Sequence, residues 1–251
     1  MPIKHILIAS LVLASASGAA CNRRGSEGGT TPAETVASGR GAIKGRVRLL
    51  SAPPANPAIR MSADPMCERA TGGKQVLQEI VVVDADGALA NVLIRLEGSF
   101  PRSAAPTTAV EIDQRGCVYT PRVVGLQIGQ SLRIRNSDPG LHNVHGGAGA
   151  KEAFNIGQPT AGMVNEFALK EEGVLQLQCD VHRWMLAFVG VVSHPYFAVT
   201  NEAGTYEIRD APAGTYTVSA WHERYGRLTS TVRVERGTVN DADFAYSGDQ
   251  K

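Results

Sequence analysis

From Ala42 onward, apolar residues recur at every second position rather than every third or fourth. Ile43 to Leu50 alternates apolar or small residues with Lys44, Arg46 and Arg48. Ile80 to Asp84 and Ala90 to Leu96 flank Asp84-Ala85-Asp86-Gly87, the residue types of a hairpin turn. Leu126, Ile128, Leu132 and Ile134 continue the alternation around Gly129. In the stretch ending at Cys179, that thiol shares one face with Leu175 and Leu177, while Gln176 and Gln178 take the other. No segment sustains a helical stripe, so the pattern predicts an all-β chain built as sandwiches of antiparallel strands. The 150–170 region is open to a short helix.

Near Ser193 to Pro195 the spacing tightens. Tyr196 to Thr200, Tyr206 to Arg209, Thr215 to Trp221 and Leu228 to Val234 are short strands, separated by turns such as Asn201 to Gly204 and Ala211 to Gly214. Their regular spacing predicts a second, small β-sandwich over residues 194–247, leaving 42–193 as the first domain with an N-terminal extension. The Gly204 to Tyr216 run, with its turn glycines and aromatics, resembles carboxypeptidase regulatory-like domains. That resemblance implies a transthyretin-like, carbohydrate-binding-like module without catalysis, with a glycan or a protein as its ligand. The Ile43 to Val47 strand could also pair into this second sandwich, which would make the domains discontinuous.

Composition narrows the function. With 251 residues, 43% apolar and 20% charged, the chain can bury a real core as one large or two small domains. Its formal net charge is +1, and Lys4 is the only charged residue among the first twenty, so a chain shortened by those residues is neutral. A nucleic-acid binder needs a basic surplus to neutralise phosphates, so no nucleic-acid partner is expected.

Residues 1–20 read as an export signal: Lys4, then an apolar run from Ile6 to Ala14 broken only by Ser10, then small residues to Ala20. The run is too short to span a bilayer. Gly18-Ala19-Ala20-Cys21 resembles the lipobox of bacterial lipoproteins, although Gly18 stands where an aliphatic residue is usual. It implies lipidation at Cys21 and an outer-membrane anchor; ordinary cleavage near Ala20 would instead leave a free periplasmic protein. Residues 21–41 are too polar to order themselves and form a flexible tether with a reach of about 24 Å. Residues 248–251 form a short tail.

Cys179-Asp180-Val181-His182-Arg183-Trp184-Met185 brings a thiolate, an imidazole and a thioether into one short loop. That soft donor set suits copper, and two histidines, one cysteine and an axial methionine form a blue-copper site. Such a site needs a second histidine, and the segment Asn136 to His145 supplies candidates. From Tyr119 to Val192 the chain resembles a cupredoxin, and the two-residue gaps in Cys-x-x-His-x-x-Met are similar to the amicyanin type. The resemblance implies a Greek-key β-sandwich holding one type 1 copper through His142, Cys179, His182 and, axially, Met185. It also implies that Asn136 ties the two ligand loops together and that His182, at the loop tip, faces redox protein partners amid Leu141, Val181 and Trp184. The whole arrangement is similar to exported plastocyanin-like proteins labelled methylamine-utilisation proteins. Those carry a histidine after Tyr119-Thr120-Pro121, where this chain has Arg122.

His145 starts on the opposite face of an extended segment from His142, so it belongs to the second shell or the surface. Trp184 is expected to pack over the site edge, and His194 and His222 to be structural or exposed. If copper takes Cys179 and lipid takes Cys21, Cys67 and Cys117 remain as a disulfide pair suited to an oxidising compartment. Read singly, each ligand has a blander meaning: a core cysteine, a core methionine, a loop histidine.

Three functions follow: a one-electron carrier, a copper storage, sensing or delivery protein, or a metal-free binding module. A multicopper enzyme needs further histidines, and only five remain beyond residue 20. No nucleophile triad or phosphate-cradling loop stands out, so the chain is expected not to be an enzyme.

Overall fold

The computed structural model describes residues 39–248. The expected signal peptide, Cys21, most of the tether and residues 249–251 of the tail lie outside them. In chain order the elements are β1 (Arg40–Leu49), a 3-10 turn at Met61–Ala63, α1 (Pro65–Ala70), β2 (Leu93–Leu96), β3 (Val110–Gln114), β4 (Tyr119–Thr120) and β5 (Val123–Gln127). Then come β6 (Ser131–Asn136), β7 (His142–Ala148), β8 (Lys151–Gln158), β9 (Val164–Ala168), β10 (Gly173–Gln178) and β11 (Leu186–Val192). The last six are β12 (Phe197–Val199), β13 (Thr205–Pro212), β14 (Gly214–His222), β15 (Gly226–Val234), β16 (Val239–Asp241) and β17 (Phe244–Tyr246). The chain is nearly all β, as its two-residue period predicts. The short helix falls at 65–70, where Asp64 caps it and Pro65 opens it, and the 150–170 region is a pair of strands instead.

Two sheets enclose the first core, in the orders β5-β11-β10-β7-β8 and β4-β3-β6-β9. Ile112, Leu126, Leu132, Ile134, Val144, Leu177 and Val189 fill the space between them. Two further sheets, β13-β1-β16 with β17 also on β1, and β12-β2-β14-β15, surround a second core built on Ile43, Val47, Leu89, Ile94, Tyr206 and Tyr246. Three of the four sheets are mixed, since β11 runs parallel to β5, β3 to β6, and β1 to both β16 and β17, while β12-β2-β14-β15 is antiparallel throughout.

Strand pairing redraws the expected division at 193/194. β1 pairs with β13, β16 and β17, and β2 with β12 and β14, so two segments within 42–193 belong to the sheets of the C-terminal strands. The tether also ends earlier than 41, because Arg40 already pairs with Pro212 and its guanidinium donates to the Asp210 carbonyl. Close backbone approach explains β1. A Cβ at Gly45 would sit 2.1 Å from the Ala242 carbonyl oxygen, so only glycine lets the C-terminal segment lie against this strand.

The two cores meet through close packing at small residues, an edge-on contact between Phe188 and Trp221, and an ion pair. A Cβ at Gly190 of β11 would lie 2.3 Å from the Leu93 side chain of β2. Arg122, between β4 and β5, makes a two-pronged bond to Glu223 in the β14–β15 turn, with Nη2 to Oε2 at 2.8 Å and both side chains buried. Arg122 thus joins the two halves of the molecule.

Candidate metal centre

Sheet order brings the expected ligands together. β10 lies between β11 and β7, with Gln178 opposite both Leu186 and His145. Cys179, just past β10, therefore lies beside His142 at the start of β7, and Cys179–Met185 closes the β10–β11 hairpin. Backbone bonds brace that loop: the Met185 amide donates to the His182 carbonyl at 2.9 Å, and the Cys179 amide to the Met185 carbonyl at 3.3 Å.

His142 Nδ1 and His182 Nδ1 lie 3.0 Å apart, and Cys179 Sγ is 3.7 Å from His182 Nδ1. All three residues are buried, and their donor atoms converge closely enough to share one ion. Met185 is fully buried in the same core. Each imidazole turns its other nitrogen to a carboxylate: His142 Nε2 to Asp138 Oδ2 at 2.9 Å, and His182 Nε2 to Asp64 Oδ2 at 3.2 Å. An imidazole whose Nε2–H is held this way presents its Nδ1 lone pair inward, as a metal ligand requires. Two imidazoles and a thiolate, in a buried site, fit copper.

The electrostatics favour a deprotonated thiol. Burial pushes Cys179 up, but bonds from His142, His182 and the Asn143 amide outweigh it and bring its pKa to about 6. Burial pulls His142 down, but Asp138 and the Cys179 thiolate overcome this and raise it to about 9. Without metal at neutral pH, the site therefore holds a thiolate beside an imidazolium.

Several supporting roles differ from the expectation. Asn136 does not tie the ligand loops to each other; its Nδ2 donates to the Gly140 and Gln158 carbonyls, and its Oδ1 accepts the Asp138 amide. Asn143 makes the tie, with its Oδ1 accepting the Asp180 amide and its own amide donating to Cys179 Sγ at 3.4 Å. Tyr119 strengthens it from beneath, its hydroxyl reaching the carbonyls of Asn143 at 2.9 Å and Gln178 at 3.3 Å. The expected exposure of His182 is also reversed. Its side chain is 2% exposed, covered by Asp64 and by Cys67, whose Sγ lies 3.5 Å from Nε2.

Cys67 and Cys117 form a disulfide that fastens α1 beside the site. Trp184 packs over His182 and donates from Nε1 to the Cys117 carbonyl at 2.9 Å. His145 stays apart from the converging donors, held between Asp180 at 3.0 Å and Glu152 at 3.1 Å. His194 and His222 are buried in polar contacts away from the site, with His194 against the Leu96 carbonyl and His222 accepting the Arg224 amide. Leu141 and Val181 are 49% and 48% exposed beside the ligands. Asp138 and Asn143 lay within the ligand segment and were readable from their nearness to His142. Asp64 gave only a helix-start signal, Asp64-Pro65.

No protein-family model matches the chain, and no curated protein matches it. Among solved structures, a purple cupredoxin from Nitrosopumilus maritimus is 23% identical over 34% of this chain and 99% of its own, with a TM-score of 0.30. An oxidised amicyanin point mutant is 22% identical over 33% of this chain and 81% of its own, also at 0.30. A copper-containing nitrite reductase from Thermus scotoductus is 14% identical over 58% of this chain but 28% of its own, at 0.32. Likeness at these scores carries no weight in assigning this chain's function, which is read from its own site.

Proposed function

We propose that this chain is an exported copper protein that carries single electrons between redox partners. His142, Cys179 and His182 would hold the ion, with Met185 as the weak axial donor. The observation that carries this reading is the convergence of three buried donors, His142 Nδ1, His182 Nδ1 and Cys179 Sγ. Copper, when bound, supplies a one-electron couple. The protein's own part is to hold the donors still: the β10–β11 hairpin, Asn143 and Tyr119 fix the loops, and a closely packed sandwich resists rearrangement between the two oxidation states. Leu141 and Val181 offer a small apolar contact area beside the ligands. The disulfide supports the export reading, since such bonds persist in oxidising compartments. The C-terminal sandwich would be a non-catalytic module.

The cover over His182 favours a second reading, copper storage or delivery, in which the ion is sheltered rather than wired to a partner. Rapid mixing of the copper(I) protein with an oxidised c-type cytochrome separates them. A carrier reoxidises with a rate that rises with cytochrome concentration; a store stays reduced and gives up copper only to a competing chelator.

A further inference from the structure

The carboxylate on His182 comes from a segment remote in sequence. Asp64 lies 118 positions before His182, at the start of α1. Its two oxygens are divided between two tasks. Oδ1 accepts the amides of Met66 at 2.7 Å and Cys67 at 3.3 Å, which orients the group, and Oδ2 is left facing His182 Nε2 at 3.2 Å. The opposite imidazole has a matching support: Asp138 accepts the Gly116 amide at 2.7 Å and the Cys117 amide at 2.8 Å, and holds His142 Nε2. Cys67 and Cys117, whose amides the two carboxylates bind, are the residues joined by the disulfide. One covalent brace therefore spans both supports.

We infer that Asp64 is a positioning residue of the metal site: from the N-terminal extension it orients His182, adds negative charge behind the ring and closes that edge to water. This role rests on the copper reading. A carboxylate accepting the outer N–H makes the imidazole a stronger donor and favours the more highly charged Cu(II) over Cu(I). A helix cap alone would need only Oδ1.

The test compares wild type with Asp64→Asn and Asp64→Ala. Asparagine is an equally good helix cap, so Asp64→Asn should fold; with its oxygen kept on the cap, its amide nitrogen can only donate, so the variant loses both the charge and the acceptor facing His182 Nε2. Cu(II) affinity, measured against a competing chelator, should fall about 10–100-fold. Cu(I) affinity should fall less, and each tenfold difference between the two raises the reduction potential by about 59 mV. Asp64→Ala should shift both quantities in the same direction and further. Variants that keep the wild-type potential and Cu(II) affinity overturn the role, even if their thermal stability drops, because a cap that is only structural would do that. A lowered potential overturns it as well. A wild-type protein without a thiolate-to-copper band removes the copper reading and this role together, and it does so before any variant is made.

Discussion

Cys179 and His142 titrate against each other: the thiol is lowered to about 6 and the imidazole raised to about 9, so both are ionised between those values in the metal-free protein. The thiolate's contribution to stability is complete only above the unfolded thiol's value of 9.0 and is lost as pH falls to about 6; the imidazolium's is complete only below the unfolded value of 6.5 and is lost as pH rises to about 9. Over the shared range one contribution grows as the other shrinks, so they cancel and the thermal midpoint carries little signature of the pair. Thiolate absorbance does carry one: it should appear as pH rises through about 6 in the metal-free protein and be missing in Cys179→Ser. A thiol that ionises only near its ordinary value would contradict the thiolate–imidazolium pair. Since His142 must lose its proton to ligate, copper uptake at pH 7 should also release protons, measurable in weakly buffered solution. Met185→Leu should keep the colour and shift the potential, because an axial thioether tunes the ion more than it holds it. An unchanged potential would leave Met185 as a core residue only.

At the scale of elements, local signals were legible and long-range ones were not. Cys179, His182 and Met185 could be read because one hairpin loop carries all three. The strands could be read because burial of one sheet face imposes a period of two. The sequence left β1 free to join the second sandwich, but nothing local shows its partners near residues 208 and 240, or that α1 reaches His182; such contacts follow from the tertiary fold. Asn136 and Asn143 both stand near the ligand histidine in sequence, but Asn136 ends β6 in one sheet while Asn143 lies on β7 in the other, beside the Cys179 loop, and only the tertiary fold separates their roles. Gly45→Ala tests the β1 contact. Its Cβ would meet a backbone carbonyl, which cannot rotate away, so the substitution should cost about 1–3 kcal/mol in urea unfolding. A loss no larger than that of an exposed alanine substitution would show that β1 is held in some other way.

Across the whole molecule, Arg122 and Glu223 make the buried link between the two cores. Removing one charge strands the other, so Arg122→Met should destabilise the protein by about 3–5 kcal/mol, and adding Glu223→Leu should recover most of that loss. A double variant no better than the single one would show that the pair is not isolated from its surroundings. The colour of the metal site should survive in the double variant, because Arg122 touches none of the converging donors.

The most direct measurement is the visible spectrum of the purified protein with one equivalent of Cu(II), before and after reduction. An intense blue or green band that bleaches on reduction, and is missing in Cys179→Ser, is the expected result for a copper ion held by that thiolate. A folded protein with a free Cys179 thiol and no such band would contradict the copper site.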